Sequence, residues 1–365
     1  MQVVVTQPYV PAYRVPLFDA VARELEADGI SFAVAAGSPG GAQAARADQA
    51  VAPWAHEIRH RTVSVKGRDV GVRRLPEELE SPDLLVTELD IKNELGWSRR
   101  AHGASRVVLW GHGRPYVVAN RRAVESAKRL MVRRVDHAMT YTEGGRDYLV
   151  DELHQDPDHV TAIGNAVDVS DLLAGRARGL EDEVARHVSE AWGTGPHLLY
   201  VGGLDRPKRI DFMLDAAEAL HAQEPRTSLL VVGDGEMRPE VEERAGDGGA
   251  VGYLGRIDRT SIGAVATMCG AIWMPGRVGL VAVDALALEL PVHTTEFPFH
   301  APELEFLKGD SVKFLPDDPA DFADAALASL REHPDGVGAV EPPPTIETVA
   351  SNFARVVREV LAGRP

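Results

Sequence analysis

The sequence predicts an α/β protein with two Rossmann-like, doubly wound parallel-sheet domains that face a central cleft. Short apolar segments of strand length alternate with segments of helical spacing, a pattern typical of parallel sheets covered by helices on both faces. The alternation stops within the acidic residues 167–195 and then restarts. The chain is 365 residues long and 44% of them are apolar, which is enough for two full-sized cores.

The first domain is predicted over residues 1–170. Its strands are short apolar runs, such as VVVT near the start of the chain, and we place them at residues 3–6, 31–37, 83–89, 106–110, 138–142 and 160–163. Residues 17–27 and 121–137 have apolar side chains at helical spacing, and the second segment has a basic opposite face. Both segments are therefore predicted helices.

The second domain is predicted over residues 190–345. Its strands are placed at residues 198–201, 229–232, 250–254, 270–275, 291–295 and 312–315, and its helices at 210–220, 238–245 and 281–288. A Pro-rich connector, EPPPT, then leads into a last amphipathic helix at 346–361. We expect residues 346–365 to pack back on the first domain. Ligands of such sheets bind at the carboxyl ends of the strands.

One turn of the second domain is a candidate phosphate site. Gly276 and Gly279 flank a tight turn that opens the helix at 281–288, which leaves backbone N–H groups unpaired at the positive end of the helix dipole. Asp284 lies early in this helix, where a carboxylate can accept hydrogen bonds from sugar hydroxyls. An ordinary strand–helix corner with a buried helix remains the alternative for this stretch taken alone.

Charge argues against nucleic acid as a partner, because the chain carries a net charge of −16. Residues 99–134 are the exception, with ten Lys and Arg against Glu125 alone. Attachment to anionic lipid and binding of an anionic soluble acceptor are two interpretations of this basic segment. We favour a third, a solvated helix face that steers anions, because the segment lacks a Trp or Phe cluster.

The expected location is the cytoplasm, with membrane association through residues 99–134 as the alternative. A lone cysteine, Cys269, fits a reducing compartment, and the N-terminal residues lack a signal-peptide pattern. The sequence contains no complete G-x-G-x-x-G, no P-loop, no H-E-x-x-H and no His or Cys cluster with metal-ligand spacing. We therefore expect neither a metal ion nor a bound cofactor.

Three motifs in the second half occur in a specific order: YVGGLDRPKRIDFMLDAA at 200–217, LLVVGDGEMRPEVE at 229–242 and MPGRVGLVAVDALALELPV at 274–292. In this order they resemble the donor half of retaining glycosyltransferases of the GT-B fold, specifically glycosyltransferase family 4. VVLWGHG at 107–113 and NAVD at 165–168 agree with the first half of that family. The resemblance covers most of the chain and implies an enzyme that uses a nucleotide-sugar donor.

The resemblance also implies which residues hold the donor diphosphate. The family uses an arginine and a lysine after the first strand of the donor half; Lys208 is retained here, whereas Gly203 occupies the arginine position. Arg206 lies between the two and is the candidate for the missing charge. Fixed cations stabilise a departing nucleoside diphosphate because that group gains negative charge.

The family also places two glutamates around the turn that opens the donor-half helix. Gly276 and Asp284 occupy these positions, so the ribose hydroxyls keep a carboxylate partner, whereas the transferred sugar loses one. The backbone of the turn is still expected to cradle phosphate through the N–H groups of Arg277, Val278, Gly279, Leu280 and Val281.

Three candidates lie in the first half: His112 as a catalytic residue, and Tyr13 and Arg14 on the acceptor side. His112 follows a strand end, and the resemblance places it near the reacting sugar, although a loop histidine bonded to backbone is an equal alternative. Tyr13 and Arg14 fill a loop that is usually Gly-rich in the family, where Arg14 can meet an anionic acceptor or the phosphate. In the second half, His300 and Glu303 follow the strand at 291–295 and either line the cleft or form a turn.

The expected reaction is metal-independent, retaining transfer of a hexosyl or related group to a hydroxyl acceptor, such as a polysaccharide, a glycolipid or a natural-product precursor. Lys208, Arg206 and the helix N-terminus stabilise the leaving diphosphate, and His112 lies near the reacting sugar. Two alternatives remain open: a catalytically degenerate nucleotide-sugar-binding protein, and a sugar-nucleotide epimerase on the same architecture.

Overall fold

The computed structural model describes residues 1–39, 48–65, 68–97, 103–115, 122–332 and 341–363. It divides into two compact units. The first unit comprises Met1–Val167 and Pro344–Pro365, and the second is the continuous segment Asp168–Pro343. The chain therefore leaves the first unit at Val167 and returns to it at Pro344.

The described part of the first unit contains a seven-stranded sheet in the order β3-β2-β1-β6-β7-β8-β9, and every neighbouring pair is parallel. Its elements before the crossing are β1 (Gln2–Gln7), α1 (Val15–Glu26), β2 (Ser31–Ala36), β3 (Ala55–Glu57), β4 (Arg59–Val65), β5 (Arg68–Arg74), β6 (Leu84–Glu88), β7 (Arg106–Gly111), α2 (Arg122–Val132), β8 (His137–Thr140), α3 (Glu143–Asp147) and β9 (Val160–Ala162). The three consecutive valines of β1 are fully buried, as expected for a strand covered on both faces.

Two features of the first unit differ from the prediction. The helix predicted at 121–137 ends at Val132, and His137 already belongs to β8, which pairs with β7. The apolar stripe continues past the helix because both elements bury the same kind of side chain. In addition, β4 and β5 form an antiparallel hairpin that the alternation of strands and helices did not predict.

The second unit contains a six-stranded sheet in the order β12-β11-β10-β13-β14-β15, again with parallel neighbours. Its elements are α4 (Ser170–Arg178), α5 (Glu183–Trp192), β10 (His197–Val201), α6 (Ile210–Gln223), β11 (Leu229–Val232), α7 (Arg238–Arg244), β12 (Val251–Gly255), α8 (Arg259–Ala266), β13 (Cys269–Trp273), α9 (Val281–Leu288), β14 (Val292–Thr294), β15 (Val312–Phe314) and α10 (Pro319–Glu332). The last helix, α11 (Ile346–Leu361), returns to the first unit.

Each unit has its own aromatic core. In the second unit the fully buried Trp273 packs edge-on against Phe322 of α10, with ring centroids 5.1 Å apart. In the first unit Trp110 of β7 packs in the same way against Phe353 of α11, at 5.4 Å. Every residue of α9 is buried, which explains why its sequence is apolar on all sides except at Asp284. None of the described helices is long and apolar enough to cross a membrane.

Candidate functional site

The loops after β10 and β13 meet, because these two strands are neighbours in the parallel sheet and both end at its carboxyl edge. The second loop contains residues 276–281, called the α9 corner below. A Cβ added to Gly276 would lie 2.3 Å from the carbonyl oxygen of Pro207 and 2.6 Å from the carbonyl carbon of Lys208. Only glycine fits at this contact, so the two loops touch through their backbones.

Two hydrogen bonds lock the α9 corner to the loop that carries Lys208. The N–H of Arg277 donates to the carbonyl of Pro207 at 2.9 Å, and the Nζ of Lys208 donates to the carbonyl of Arg277 at 2.6 Å. The structure therefore brings together Lys208 and the corner, which the sequence analysis assigned to the same diphosphate. It also gives a reason for the missing glutamate, because backbone atoms occupy the space that a side chain at position 276 needs.

The corner offers fewer amides for phosphate than the sequence analysis expected. The N–H groups of Arg277 and Val278 already donate to Pro207 and to His300, respectively. The N–H groups of residues 279, 280 and 281 have no acceptor within the described parts of the chain. These three amides lie at the start of α9, where the helix dipole is positive.

The α9 corner is also held by His300, which follows it in the sequence, whereas Lys208 precedes it. The Nδ1 of His300 accepts the N–H of Val278 at 3.1 Å, and its Nε2 lies 3.0 Å from the carbonyl of Thr295, to which it donates. The N–H of Ala301 donates to the carbonyl of Val278 at 2.8 Å. Burial lowers the pKa of His300, and the cations of Lys208 and Arg277 lower it further. The hydrogen bond to Thr295 and the carboxylate of Glu296 raise the pKa and only partly offset this shift. The sequence analysis left His300 as a cleft or turn residue and did not identify this contact.

The arginines near the corner differ in their surroundings. Arg206 has a side chain that is 78% exposed and lies 3.8 Å from Glu236, so it is a solvated cation. Arg209 is held by Thr295, Asp317 and the ring of Phe212. The half-buried guanidinium of Arg277 forms no hydrogen bond or ion pair within the described residues. The sequence analysis considered only the backbone of Arg277 and thus missed its side chain as a candidate ligand of phosphate.

Asp284 is buried and forms a bidentate pair with Arg259, the first residue of α8, with N–O distances of 2.7 and 3.4 Å. Burial raises the pKa of Asp284, and the guanidinium of Arg259 opposes the rise. A carboxylate has about four acceptor positions, so the pair leaves room for a sugar hydroxyl. Arg259 was missed because nothing in the sequence links two residues on different helices.

Gly203, the position of the absent family arginine, lies in an open part of the loop after β10. Its carbonyl accepts a hydrogen bond from the hydroxyl of Tyr200 at 2.6 Å. An added Cβ would meet only the carboxylate oxygen of Asp205, at 3.3 Å. In contrast to Gly276, this position therefore has room for a side chain.

The acceptor-side candidates of the first unit cluster around Tyr141, which follows β8. Arg14 is 6% exposed and donates to the hydroxyl of Tyr141 at 3.2 Å and to Asn165 at 3.1 Å. Its guanidinium also lies 5.5 Å from the ring centre of Tyr13, and the ring of His112 lies 5.0 Å from that of Tyr141. Arg14 is thus a buried support, whereas Tyr13 and His112 are exposed and can contact a ligand.

A second polar network of the first unit was not predicted. The carboxylate of Glu88, at the end of β6, accepts hydrogen bonds from Arg73 at 2.8 Å, Asn93 at 2.9 Å, Thr87 at 3.0 Å and Thr6 at 3.2 Å. The only sequence signal was the presence of threonines at the ends of two apolar strands. The network fixes the carboxyl ends of β1 and β6, which are neighbours in the sheet.

Only part of the basic segment 99–134 is described, since residues 98–102 and 116–121, including Arg99, Arg100 and Arg121, lie outside the described ranges. On α2 and just after it, Arg122 and Arg133 are exposed, as are the apolar Val124 and Leu130. Lys128 instead turns inward to the carbonyl of Gly113, and burial lowers its pKa to about 8. In the described parts of the chain, no three His, Cys, Asp or Glu residues lie together as a metal site would require.

Comparison with known families found a match within the second unit. Residues 195–332, which include the Lys208 loop and the α9 corner, match the model of the family "Glycosyl transferases group 1". The matched residues lie within the second unit, Asp168–Pro343. A 144-residue stretch of the chain is also 28% identical to phosphatidyl-myo-inositol mannosyltransferase of Mycolicibacterium smegmatis. That match spans 38% of this chain and only 36% of the mannosyltransferase.

Solved structures resemble the chain over its whole length. S. aureus MnaA in a co-structure with UDP has a TM-score of 0.65 at 13% identity and covers 100% of this chain and 98% of its own. UDP-GlcNAc 2-epimerase from Neisseria meningitidis, bound to UDP-GlcNAc, has a TM-score of 0.62 at 14% identity, with 98% and 100% covered. Anabaena HepE in complex with UDP-glucose has a TM-score of 0.59 at 13% identity, with 99% and 95% covered. At such identities the likeness concerns the fold, and it confirms the predicted GT-B class with two Rossmann-like units.

Proposed function

We propose that the chain is a glycosyltransferase that moves a sugar from a nucleoside-diphosphate sugar to a hydroxyl group of an acceptor. The observation that carries the proposal is the junction of Lys208 with the α9 corner. There, the ammonium group of Lys208 and three amides that have no acceptor among the described residues lie together at a helix N-terminus, within the segment that matches the model of glycosyl transferases group 1. This arrangement suits a diphosphate better than a neutral ligand.

In the proposed reaction, the diphosphate leaves as the bond to the anomeric carbon breaks. Negative charge then accumulates on the phosphate oxygens, and Lys208 together with the amides of residues 279–281 stabilises it more strongly than the charge of the bound donor. We assign the side chain of Arg277 to the same oxygens, with the solvated Arg206 in a lesser role. Asp284, oriented by Arg259, accepts hydrogen bonds from the ribose hydroxyls.

We further propose that the reaction retains the anomeric configuration and proceeds without a metal ion. The motif order that resembles glycosyltransferase family 4 supports retention. Protein cations next to the diphosphate support metal independence, because they supply the charge that a divalent ion would otherwise provide. His112 and Tyr13 of the first unit are assigned to the reacting sugar and to the acceptor, respectively.

Uridine diphosphate is the first nucleotide to test, because three similar solved structures were determined with UDP, UDP-GlcNAc or UDP-glucose. We propose a cytoplasmic enzyme whose acceptor carries several hydroxyl groups. The exposed Arg122, Arg133, Val124 and Leu130 of the first unit support weak contact with an anionic lipid surface. Sedimentation with anionic and neutral vesicles tests this contact.

The decisive experiment has two steps. A thermal-shift panel of nucleoside diphosphates comes first, because a ligand of the native state raises the melting temperature whatever the acceptor is. The matching nucleotide sugars are then incubated with and without acceptor hydroxyls. Donor consumption that depends on an acceptor supports the transferase, and the absence of any nucleotide effect on melting rejects it.

The same experiment distinguishes two other functions. Sugar-nucleotide epimerases are among the similar structures, and an isomerised donor formed without acceptor would favour that activity. Gly203 and Gly276 stand at positions that carry charged side chains in the resembled family, which motivates a degenerate binding protein. Tight nucleotide binding without turnover would favour that alternative.

A further inference from the structure

We propose that His300 is a positioning residue of the donor site, which holds Val278 so that the amides of residues 279–281 face the phosphates of the donor. This inference deepens the proposed function and rests on it. His300 itself need not touch the ligand, because it acts through the backbone of the α9 corner.

The contacts of Val278 carry the inference. Its N–H donates to His300 Nδ1 at 3.1 Å, and its carbonyl accepts the N–H of Ala301 at 2.8 Å. Both backbone groups of Val278 are thus held by the segment that follows β14. The carbonyl of Val278 shares a planar peptide unit with the N–H of Gly279. Holding Val278 therefore also fixes the direction of the Gly279 amide.

The other side of the imidazole is anchored to the end of β14. The Nε2–H of His300 donates to the carbonyl of Thr295 at 3.0 Å, and this fixes both the orientation of the ring and its tautomer. Thr295 in turn donates through its hydroxyl to the carbonyl of Pro275 at 2.8 Å and accepts from Arg209 at 3.1 Å. The same anchor therefore holds the chain on both sides of Gly276: Pro275 before it and Val278 after it.

The charge state of His300 determines whether the contact exists. Charged groups that face the ring are the carboxylate of Glu296 and the cations of Lys208 and Arg277, and the rings of Phe297 and Phe314 pack beside it. Burial and the two cations hold the pKa of His300 below its ordinary value, so the ring is neutral near pH 7. Protonation would place a hydrogen on Nδ1 against the N–H of Val278, and two donors cannot bond to each other.

Two substitutions separate the two ring nitrogens. The side-chain oxygen of asparagine reaches the place of Nδ1, so His300→Asn keeps an acceptor for Val278 but loses the bond to Thr295. The side-chain amide of glutamine reaches the place of Nε2, so His300→Gln keeps a donor for Thr295 but leaves the N–H of Val278 buried without an acceptor. Both variants remove the imidazole, so each is the control for the loss of the ring in the other.

The experiment measures the dissociation constant of the full chain for the nucleoside diphosphate that stabilises the wild type most. We expect His300→Gln to weaken binding by about tenfold, the effect of one lost buried hydrogen bond of about 1.4 kcal/mol. His300→Asn should bind within about twofold of wild type. We also expect the affinity of the wild type to fall more steeply than that of His300→Asn as the pH is lowered from 7, because only the wild type carries an imidazole that can be protonated.

Three results would overturn the inference. Equal affinity of both variants and the wild type would remove His300 from the site while the proposed function stands. Equal weakening in both variants, in step with their melting temperatures, would mean that His300 is merely structural. A wild type that binds no nucleoside diphosphate at any pH rejects the proposed function together with this inference. Where one variant does not fold, the pH series compares the other variant with the wild type, because the terminal phosphate of the nucleotide also titrates near pH 6 and must be cancelled in the comparison.

Discussion

The substitution Gly276→Ala tests whether the contact between the two loops holds the site together. The added Cβ would lie 2.3 Å from the Pro207 carbonyl oxygen, whereas real Cβ atoms stay beyond 3.0 Å, so the loops must separate by at least 0.7 Å. The bond from Arg277 to Pro207, now 2.9 Å, would then approach about 3.6 Å, which is no longer a hydrogen bond. The bond from Lys208 to Arg277, now 2.6 Å, would lengthen to about 3.3 Å by the same movement and weaken without breaking.

The expected cost follows from these contacts. Overpacking of a close contact costs about 1–3 kcal/mol, and the one lost hydrogen bond, from Arg277 to Pro207, adds about 1 kcal/mol. We therefore expect a total of about 2–4 kcal/mol. In a unit of this size, this total lowers the melting temperature by about 5–15 °C. If the loops separate only locally, the cost instead weakens the binding of the nucleotide, and about 2 kcal/mol corresponds to an affinity about 30-fold lower.

The assay is a melting curve with and without the nucleoside diphosphate that stabilises the wild type. Gly279→Ala is the matched control, because a Cβ at this position would meet only Ala301, at an ordinary 3.8 Å, and should leave the melting temperature of the free protein unchanged. If Gly276→Ala melts and binds nucleotide like the wild type, the loops are not held by this contact and the reasoning fails.

Three further predictions concern charge. Lys208→Ala should lower turnover by about 100-fold or more, the usual effect of one charge-stabilising contact. Arg206→Ala should change turnover only a few-fold, because that side chain is exposed. Equal turnover of Lys208→Ala and the wild type would exclude Lys208 from the site. Gly203→Arg should be tolerated and tighten nucleoside diphosphate binding, as measured by calorimetry, because a Cβ there meets only Asp205; a lower melting temperature would contradict this. His293 is buried between Trp273 and Ser329, and its pKa is lowered from 6.5 to about 3. The contribution of neutral His293 to the free energy of unfolding is therefore fully present above pH 6.5 and declines as the pH falls towards 3. At pH 5 the free energy of unfolding should be lower by about 2 kcal/mol. Denaturant unfolding at pH 7.5 and pH 5 checks this, and a His293→Gln variant should lose less stability than wild type over that interval.

The strands and helices with one clear period were predictable from the sequence. The predicted helix at 281–288 coincides with α9, since a glycine turn precedes it and Glu289, in the left-handed conformation, ends it. Helix α8 was missed because Ser261 to Ala266 are all buried, so no polar face marks the helical period. The hairpin of β4 and β5 was missed because its sequence is rich in arginine and lacks an apolar run.

The candidate site was predictable only as a set of residue types. The glycine turn, Lys208 and Asp284 could be named because loops after parallel strands gather at one edge of a sheet. The sequence could not show that position 276 touches the backbone of Lys208, or that two amides of the turn are already bonded. It also could not show the partners of Asp284 and Val278, since Arg259 and His300 contact them from other segments.

The path of the chain has a consequence for biosynthesis. The second unit is one uninterrupted segment, whereas the core of the first unit needs α11, whose Phe353 and Val357 are fully buried against side chains such as Val5 and Trp110. Domains generally acquire their structure while the ribosome is still extending the polypeptide. Here one side of the sheet translated first is covered only in part, by α1, until α11 emerges, by which time residues 168–343 have been free to fold. The order of translation and the order of completion are therefore opposite in this protein.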